Sequence, residues 1–491
     1  MARRTVLLPG LISLCLAGLV VATRHAPPFR EVSDGAILEI YTLQALEGKL
    51  LVGPYSRFGW HHPGPLFFYL AAPWYWMSGH HTAGLQAGAF AINLGAVAAI
   101  AWTAARLASP PIAIAVAVAT AWYTLRTGDL IVSVWNPHVI VLPMLAFVIM
   151  AAALAATGRR VLLLWLVLLG SFLVQTHLAM APLVALVGAV AVAPKRRALG
   201  GAWLRACLVA LALWLPPLVE QATHTPGNLT RIATFFAGGS SSGQTPGGAL
   251  VAWSASLTSA FTPGFAVALG FDVRPPDSPW PVVWAVAQIV CLVAAAVWAR
   301  RRGDACVTWF ATMCVLASTV AFAATTRIRG QIVDHEIFWM SALGALNAGV
   351  IAGALATAAS GVLDRRAIVQ PLATAACYLM FFVAVAVGLV GVRHILNRSR
   401  TPDDHNVDVL AEEIGRYVAQ ARPGRLLFRI EQPVWTIAAG ALLREYKEGV
   451  RFAVDDRWTT MFGEAFEANG REDASLTITG SPRAPVLLVT R

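Results

Sequence analysis

Long apolar runs broken by short basic clusters dominate the pattern of hydrophobic and polar positions. Taking about 20 apolar residues as one membrane crossing, the pattern predicts eleven helices, at 5–23, 82–106, 111–126, 138–157, 161–175, 178–193, 203–219, 281–298, 305–326, 337–361 and 370–393. The runs 161–175 and 178–193 form a tight pair joined at Gln175-Thr176-His177. With eleven spans, Arg3/Arg4, Arg106, Arg159/Arg160, Lys195–Arg197, Arg300–Arg302 and Arg365/Arg366 all fall on one side, which the positive-inside rule makes cytoplasmic. Fusing the tight pair would put Arg159/Arg160 and Lys195–Arg197 on opposite faces, against that rule. The N-terminus is then inside, and the C-terminus and the loop 24–81 are outside. The apolar run after Arg3 and Arg4 has the length of a signal peptide core. No small-x-small cleavage site follows it and further spans do, so it reads as a first retained helix.

Three interruptions break the apolar pattern. Residues 31–79 predict a short surface helix over 36–46, a Gly/Pro-rich turn, and an aromatic interfacial helix over 65–77. Residues 220–280 predict a large outer loop, with a surface or re-entrant piece near 248–270. After residue 395 the chain turns acidic, with a helical run over 407–421 and the short apolar runs RLLFRI and PVLLVT. That composition predicts a small α/β domain over 396–491, outside the membrane, following a transmembrane domain over 1–395. No internal repeat is evident, so an inverted-repeat transporter finds no support.

Composition agrees with the pattern. The chain is 57% hydrophobic and 13% charged with mean hydropathy +0.64, whereas soluble domains carry about 25% charged residues. A net charge of +11 would point to nucleic acid in a soluble chain. Here the Arg and Lys residues sit at the ends of apolar runs as topology signals, and no nucleic-acid partner is expected. The six cysteines lie in or beside apolar runs without a CxxC, which predicts neither a disulfide framework nor a zinc site. No serine triad, P-loop, HExxH or GxGxxG is present.

Candidate chemistry gathers in the outer loops. Asp34 follows Ser33 at the start of the helix predicted in the first loop. It reads either as an N-cap or as a working acid at the membrane surface; Glu39, five residues on, reads as structural. In GPYSRFGWHHPGP, Arg57 offers paired donors for a phosphate or touches lipid headgroups. His61 and His62 are adjacent, so their side chains point apart and do not share one ion. The second outer loop supplies Asp129, Asn136 and His138, where Asn136 caps the next helix or lines a site. The tight pair supplies Gln175 and His177. Arg327 and Arg329 lie outside, against the positive-inside bias, and call for an anionic partner: Asp334, Glu336 or a lipid phosphate.

SDGAILEIYTLQALEG, then HHPGPLFFYLAAPWYWMSG, then a span ending in AARL resembles the opening of the GT-C membrane glycosyltransferases. The nearest group is that of the aminoarabinose transferases and protein O-mannosyltransferases. The resemblance covers residues 1–200 and is topological beyond. Gly35 stands where that family has the second acid of an Asp-Glu pair, and Asn136-Pro137 where it has Asp-Pro. The resemblance implies a polyprenyl-phosphate sugar donor, a glycan, lipid or protein acceptor, and Asp34 as the catalytic carboxylate. The converging outer loops make Arg57, His61, His62, Asp129, Asn136, His138, Gln175, His177, Arg327 and Arg329 the candidate substrate-binding residues; no metal ligand and no cofactor is assigned. Trp60, Tyr69, Trp74 and Trp135 would stack on sugar or line the lipid path, though Trp and Tyr at interfaces also form ordinary belts. The implied fold is GT-C-like with surface juxtamembrane helices, in the plasma (inner) membrane. The alternatives are a transporter or lipid flippase, and a cell-envelope assembly protein.

Overall fold

A computed structural model describes residues 20, 23–24, 29–238, 243–263, 265, 278–360 and 366–490. Nearly all of the expected first span, and Arg3, Arg4, Cys15 and Arg365, lie outside the described residues. Among the described residues eight helices are long and apolar enough to cross a membrane. They are Thr82–Leu107, Asn136–Thr157, Leu178–Leu199, Ala202–Thr223, Trp280–Arg301, Ala305–Thr326, Asp334–Ala359 and Val369–Leu396. Each falls on an expected span. Two further expected spans are helical but fall short of the eight: Val161–Thr176 in length, and Pro110–Thr127 in apolar content, diluted by Trp122, Tyr123, Arg126 and three threonines. The chain is a multi-pass helical membrane protein.

Side-chain exposure agrees with a lipid surround. On Ala202–Thr223, Leu204, Leu208, Leu211 and Leu215 recur every three or four residues and are each more than half exposed, a stripe that suits acyl chains and not water. By internal contacts the chain divides into two compact units. One holds Met1–Gly88, Val219–Ile232 and Val392–Arg491; the other holds Ala89–Leu218 and Ala233–Gly391.

The second unit is built of spans around Val141–Thr157, which is buried on every side from Val141 to Ala155. Small residues let its helices approach. Gly349 and Gly353 of Met340–Ser360 face Pro110–Thr127 so closely that a Cβ would meet Ala119 or Ile112 at 2.8 Å. Polar residues inside the spans bond to one another: Asn347 Nδ2 donates to Gln288 Oε1 (3.2 Å) and Ser318 Oγ (3.0 Å). The piece expected near 248–270 contains a 14-residue helix, Pro246–Ser259, too short to cross and packed on three longer helices.

In the first unit, helix α1 (Ser33–Leu46) and helix α2 (Leu66–Met77) follow the first span. α1 starts three residues earlier than its apolar pattern, and α2 carries Pro73 inside it. The C-terminal part begins with α3 (Pro402–Ala421). A reciprocal cap between Thr401 and Asp404 starts this helix five residues before the expected 407. Strand β1 (Leu426–Ile430), helix α4 (Trp435–Lys447), strand β2 (Phe452–Val454) and strands β3 (Ala474–Ser481) and β4 (Ala484–Thr490) follow. The sheet order is β2-β1-β3-β4, with β1 parallel to both neighbours and β3 antiparallel to β4. RLLFRI and PVLLVT thus supply β1 and β4. β1 is one of the two inner strands: Leu426, Phe428 and Ile430 are buried on one face, and helix α4 provides the crossover from β1 to β2.

Candidate active site

In the first unit the site is built on the start of α1. Ser33 adopts φ +55°, a conformation few non-glycine residues take, and turns the chain sharply just before Asp34. The residue preceding the helix is Val32, and no side chain caps it. Asp34 is therefore not the cap but lies in the first turn, where the helix dipole favours a carboxylate. The Tyr55 hydroxyl donates a hydrogen bond to Asp34 Oδ1. Burial, and next the negative charge of Asp34, push the Tyr55 hydroxyl pKa upward, so it stays protonated and remains a donor.

Tyr55 is presented by a narrow hairpin. Gly53 N and His62 O (2.9 Å), His62 N and Pro54 O (2.8 Å), and Ser56 N and Trp60 O (2.8 Å) close it, with Gly59 at φ +82° in the turn. Arg57 is exposed at its tip, with the guanidinium 4.8 Å from the Phe58 ring centre. His61 and His62 are both buried. The Tyr41 hydroxyl lies 3.0 Å from His61 Nε2. Asn228 accepts from the His61 backbone N–H (2.9 Å) and donates to its carbonyl (2.8 Å), as a neighbouring strand would. His62 meets Trp60 edge-on at 5.5 Å. The two imidazoles point to different neighbours, and His61 holds the loop. Burial, and then Arg231, lower its pKa to about 4, so it is neutral at neutral pH.

The second unit gathers another set. Asn136 opens a single turn, Asn136–Val139, without capping it. Its Nδ2 lies 3.4 Å from the Thr176 carbonyl and from His177 Nδ1. His138 Nδ1 is 2.9 Å from Ser133 Oγ, and Trp135 stacks edge-on to His138 at 5.0 Å and beside His335 at 5.1 Å. Asn136, His138 and His177 thus come together, with His335 as an added member. Gln175 turns aside: its Nε2 donates to the Leu213 carbonyl at 2.9 Å, binding neighbouring helices together. Asp129 and Arg327 are exposed and take no part in these contacts. Arg329 packs over Phe235 at 4.5 Å and donates to the Gly238 carbonyl at 3.2 Å. Among the described residues neither Arg327 nor Arg329 forms an ion pair with Asp334 or Glu336. No group of three or more His, Cys, Asp or Glu among the described residues is arranged to hold a metal.

No protein-family model and no curated protein matches the chain. Among solved structures, the crystal structure of ArnT from Cupriavidus metallidurans in the apo state matches over 97% of this chain and 93% of that one, with a TM-score of 0.50 at 14% identity. The chain shares the fold of ArnT. At that identity the likeness is one of fold. It bears out the fold that the resemblance of residues 1–200 implies, over almost the whole chain.

Three participants were not singled out from the sequence. Tyr55 and His335 stand as ordinary interfacial residues in the linear pattern. Lys447 pairs with Glu39 of α1, 408 positions away, which no spacing rule can reach. A faint signal for Tyr55 was available: it is the one hydroxyl-bearing aromatic in the Gly/Pro turn.

Proposed function

We propose that the chain is an inverting glycosyltransferase. It moves a sugar from a polyprenyl-phosphate donor to a glycan, lipid or protein acceptor at the outer face of the plasma membrane. The observation that carries this reading is a carboxylate in the first turn of a short surface helix, held by a tyrosine hydroxyl, within an ArnT-like fold. Asp34 acts as general base, taking the proton of the acceptor hydroxyl as it attacks the anomeric carbon. Tyr55 orients that carboxylate. The departing lipid phosphate gains charge, and Arg57, at the tip of the hairpin that presents Tyr55, is its candidate counter-charge. In the second unit, Asn136, His138 and His177 form a polar cluster whose hydrogen bonds suit hydroxyl groups. Direct displacement inverts the anomeric centre. No cofactor enters the scheme.

The wider arrangement belongs to the same reading. Eleven spans put the N-terminus inside, with the transmembrane domain over 1–395, the loops 24–81 and 220–280 outside, and an extracytoplasmic α/β domain over 396–491. A transporter or flippase would need a polar path through the spans, and Asn347, Gln288 and Ser318 instead bond to one another. The deciding experiment is Asp34→Asn in the full chain, assayed with a panel of polyprenyl-phosphate sugars. Transfer should fall by about 100-fold or more with expression and melting unchanged; a variant that transfers as well as the parent would sink the proposal.

A further inference from the structure

Helix α1 carries Asp34 on one turn, and something must set how the helix is rotated about its axis. From Ala36 to Thr42 every residue is buried. Its alanine, isoleucine and leucine contacts are non-directional, so they hold the helix without choosing its roll. That choice falls to its polar side chains.

Glu39 is fully buried. Its Oε1 accepts from the Tyr75 hydroxyl at 2.7 Å and the Thr82 hydroxyl at 3.2 Å, and pairs with Lys447 Nζ. Oε2 is buried without a hydrogen-bond partner among the described residues. Lys447 is the last residue of α4. It also donates to the His80 carbonyl at 3.3 Å and lies 5.7 Å from the Tyr75 ring centre. Two residues beyond Glu39, the Tyr41 hydroxyl donates to the Met461 carbonyl at 2.9 Å. Just before α1, Arg30 is held through its backbone N–H by Asp404 (2.8 Å) and through its side chain by Asp408 (2.7 Å). The C-terminal part thus grips this segment just before α1 and at the middle of it.

A buried carboxylate with one oxygen unsatisfied is a poor source of stability, because an apolar pair of similar volume does as well or better. What it adds is direction. Asp34 and Glu39, five positions apart, lie about 140° apart around the helix and about 7.5 Å along it, so fixing one side chain fixes where the other points. We infer that Lys447, by pairing with Glu39, is a positioning residue that sets the roll of α1 and holds the Asp34 carboxylate against Tyr55. The C-terminal sheet and helices then act as the brace of the site. The catalytic part of this inference rests on the function proposed above; the geometric part does not.

The test uses the full chain in lipid nanodiscs with ring ζ-carbon-labelled tyrosine, the Tyr55 signal being assigned by Tyr55→Phe. Lys447→Met should move the Tyr55 signal toward its position in Asp34→Asn. Turnover of decaprenyl-phosphate carrying the sugar the parent uses best should fall about 100-fold at an unchanged KM, and Lys447→Arg should restore both. In Glu39→Gln/Lys447→Met both charges are gone, so melting should return toward that of the parent while the Tyr55 signal and turnover stay altered. An unmoved Tyr55 signal in Lys447→Met overturns the inference. So does recovery of signal and turnover along with stability in the double variant, since the pair would then be structural only. If Asp34→Asn still transfers sugar, the proposed function falls, while the Tyr55 signal alone still decides whether Lys447 positions α1.

Discussion

At the level of single residues, the pairing of Asp34 with Tyr55 gives the first surface helix a directed carboxylate, and substitution tests it directly. Tyr55→Phe keeps the ring and removes the donor, so turnover should drop by about tenfold with little change in melting; equal turnover would detach Tyr55 from the site. Two titrating groups nearby, Glu31 and the buried His61, respond to pH with opposite signs. Glu31 is raised from 4.5 to about 7, chiefly by burial and then by Glu39, with Arg398 and Lys447 partly offsetting. Its protonated form is the one the fold favours, so its contribution is full below pH 4.5 and is lost as pH rises through about 7. His61 is lowered from 6.5 to about 4, so stability falls as pH drops from 6.5 toward 4, where the unfolded chain takes a proton that the folded chain refuses. Melting midpoints across this range should show that Glu31→Gln abolishes the loss toward higher pH and His61→Gln the loss toward acid. Parallel curves for both variants and the parent would refute these assignments. Asp34 was legible because acids are scarce at the outer surface. Its partner was not, because a hydrogen bond between positions 34 and 55 depends on a hairpin whose register no local pattern specifies.

At the level of elements, apolar periodicity located helices well and their ends less well. The run 111–126 became Pro110–Thr127, while 407–421 lengthened to Pro402–Ala421 because a side-chain cap, not hydrophobicity, starts it. Packing between elements is a separate matter. Gly349 and Gly353 lie four apart on one face of Met340–Ser360, and a Cβ at Gly353 would meet Ile112 at 2.8 Å and its Cα at 3.0 Å. Gly353→Leu should therefore cost about 1–3 kcal/mol through overpacking, read as a lowered melting midpoint, with Gly353→Ala in between. A neutral Gly353→Leu would mean that the two helices do not depend on this approach. At the other end of the chain, Gly440 of α4 has no room for a side chain beside Val407 of α3 and the Glu31 carbonyl. That close contact complements the directed pairing of Glu39 with Lys447.

For the whole molecule, the proposed orientation makes a prediction that labelling can check. A cysteine at Arg471 should react with a membrane-impermeant maleimide on intact cells, and one at Arg301 only after permeabilisation; the reverse pattern would turn the topology over and remove Asp34 from the outer face. Hydropathy indicated, without any structure, that the chain crosses a membrane many times and which polar segments interrupt its apolar runs. Both are properties of segments in lipid, where each run must bury its own backbone. The likeness of residues 1–200 to GT-C enzymes was legible for a related reason, since a short ordered series of surface helix, turn and surface helix survives as a linear pattern. Tertiary structure alone decided which polar groups meet. Tyr55 reaches Asp34, Asn136 reaches His177, and Lys447 reaches Glu39. Each contact links parts of the chain that are distant in sequence, and each forms because a buried polar group must find a partner wherever the packed helices leave one.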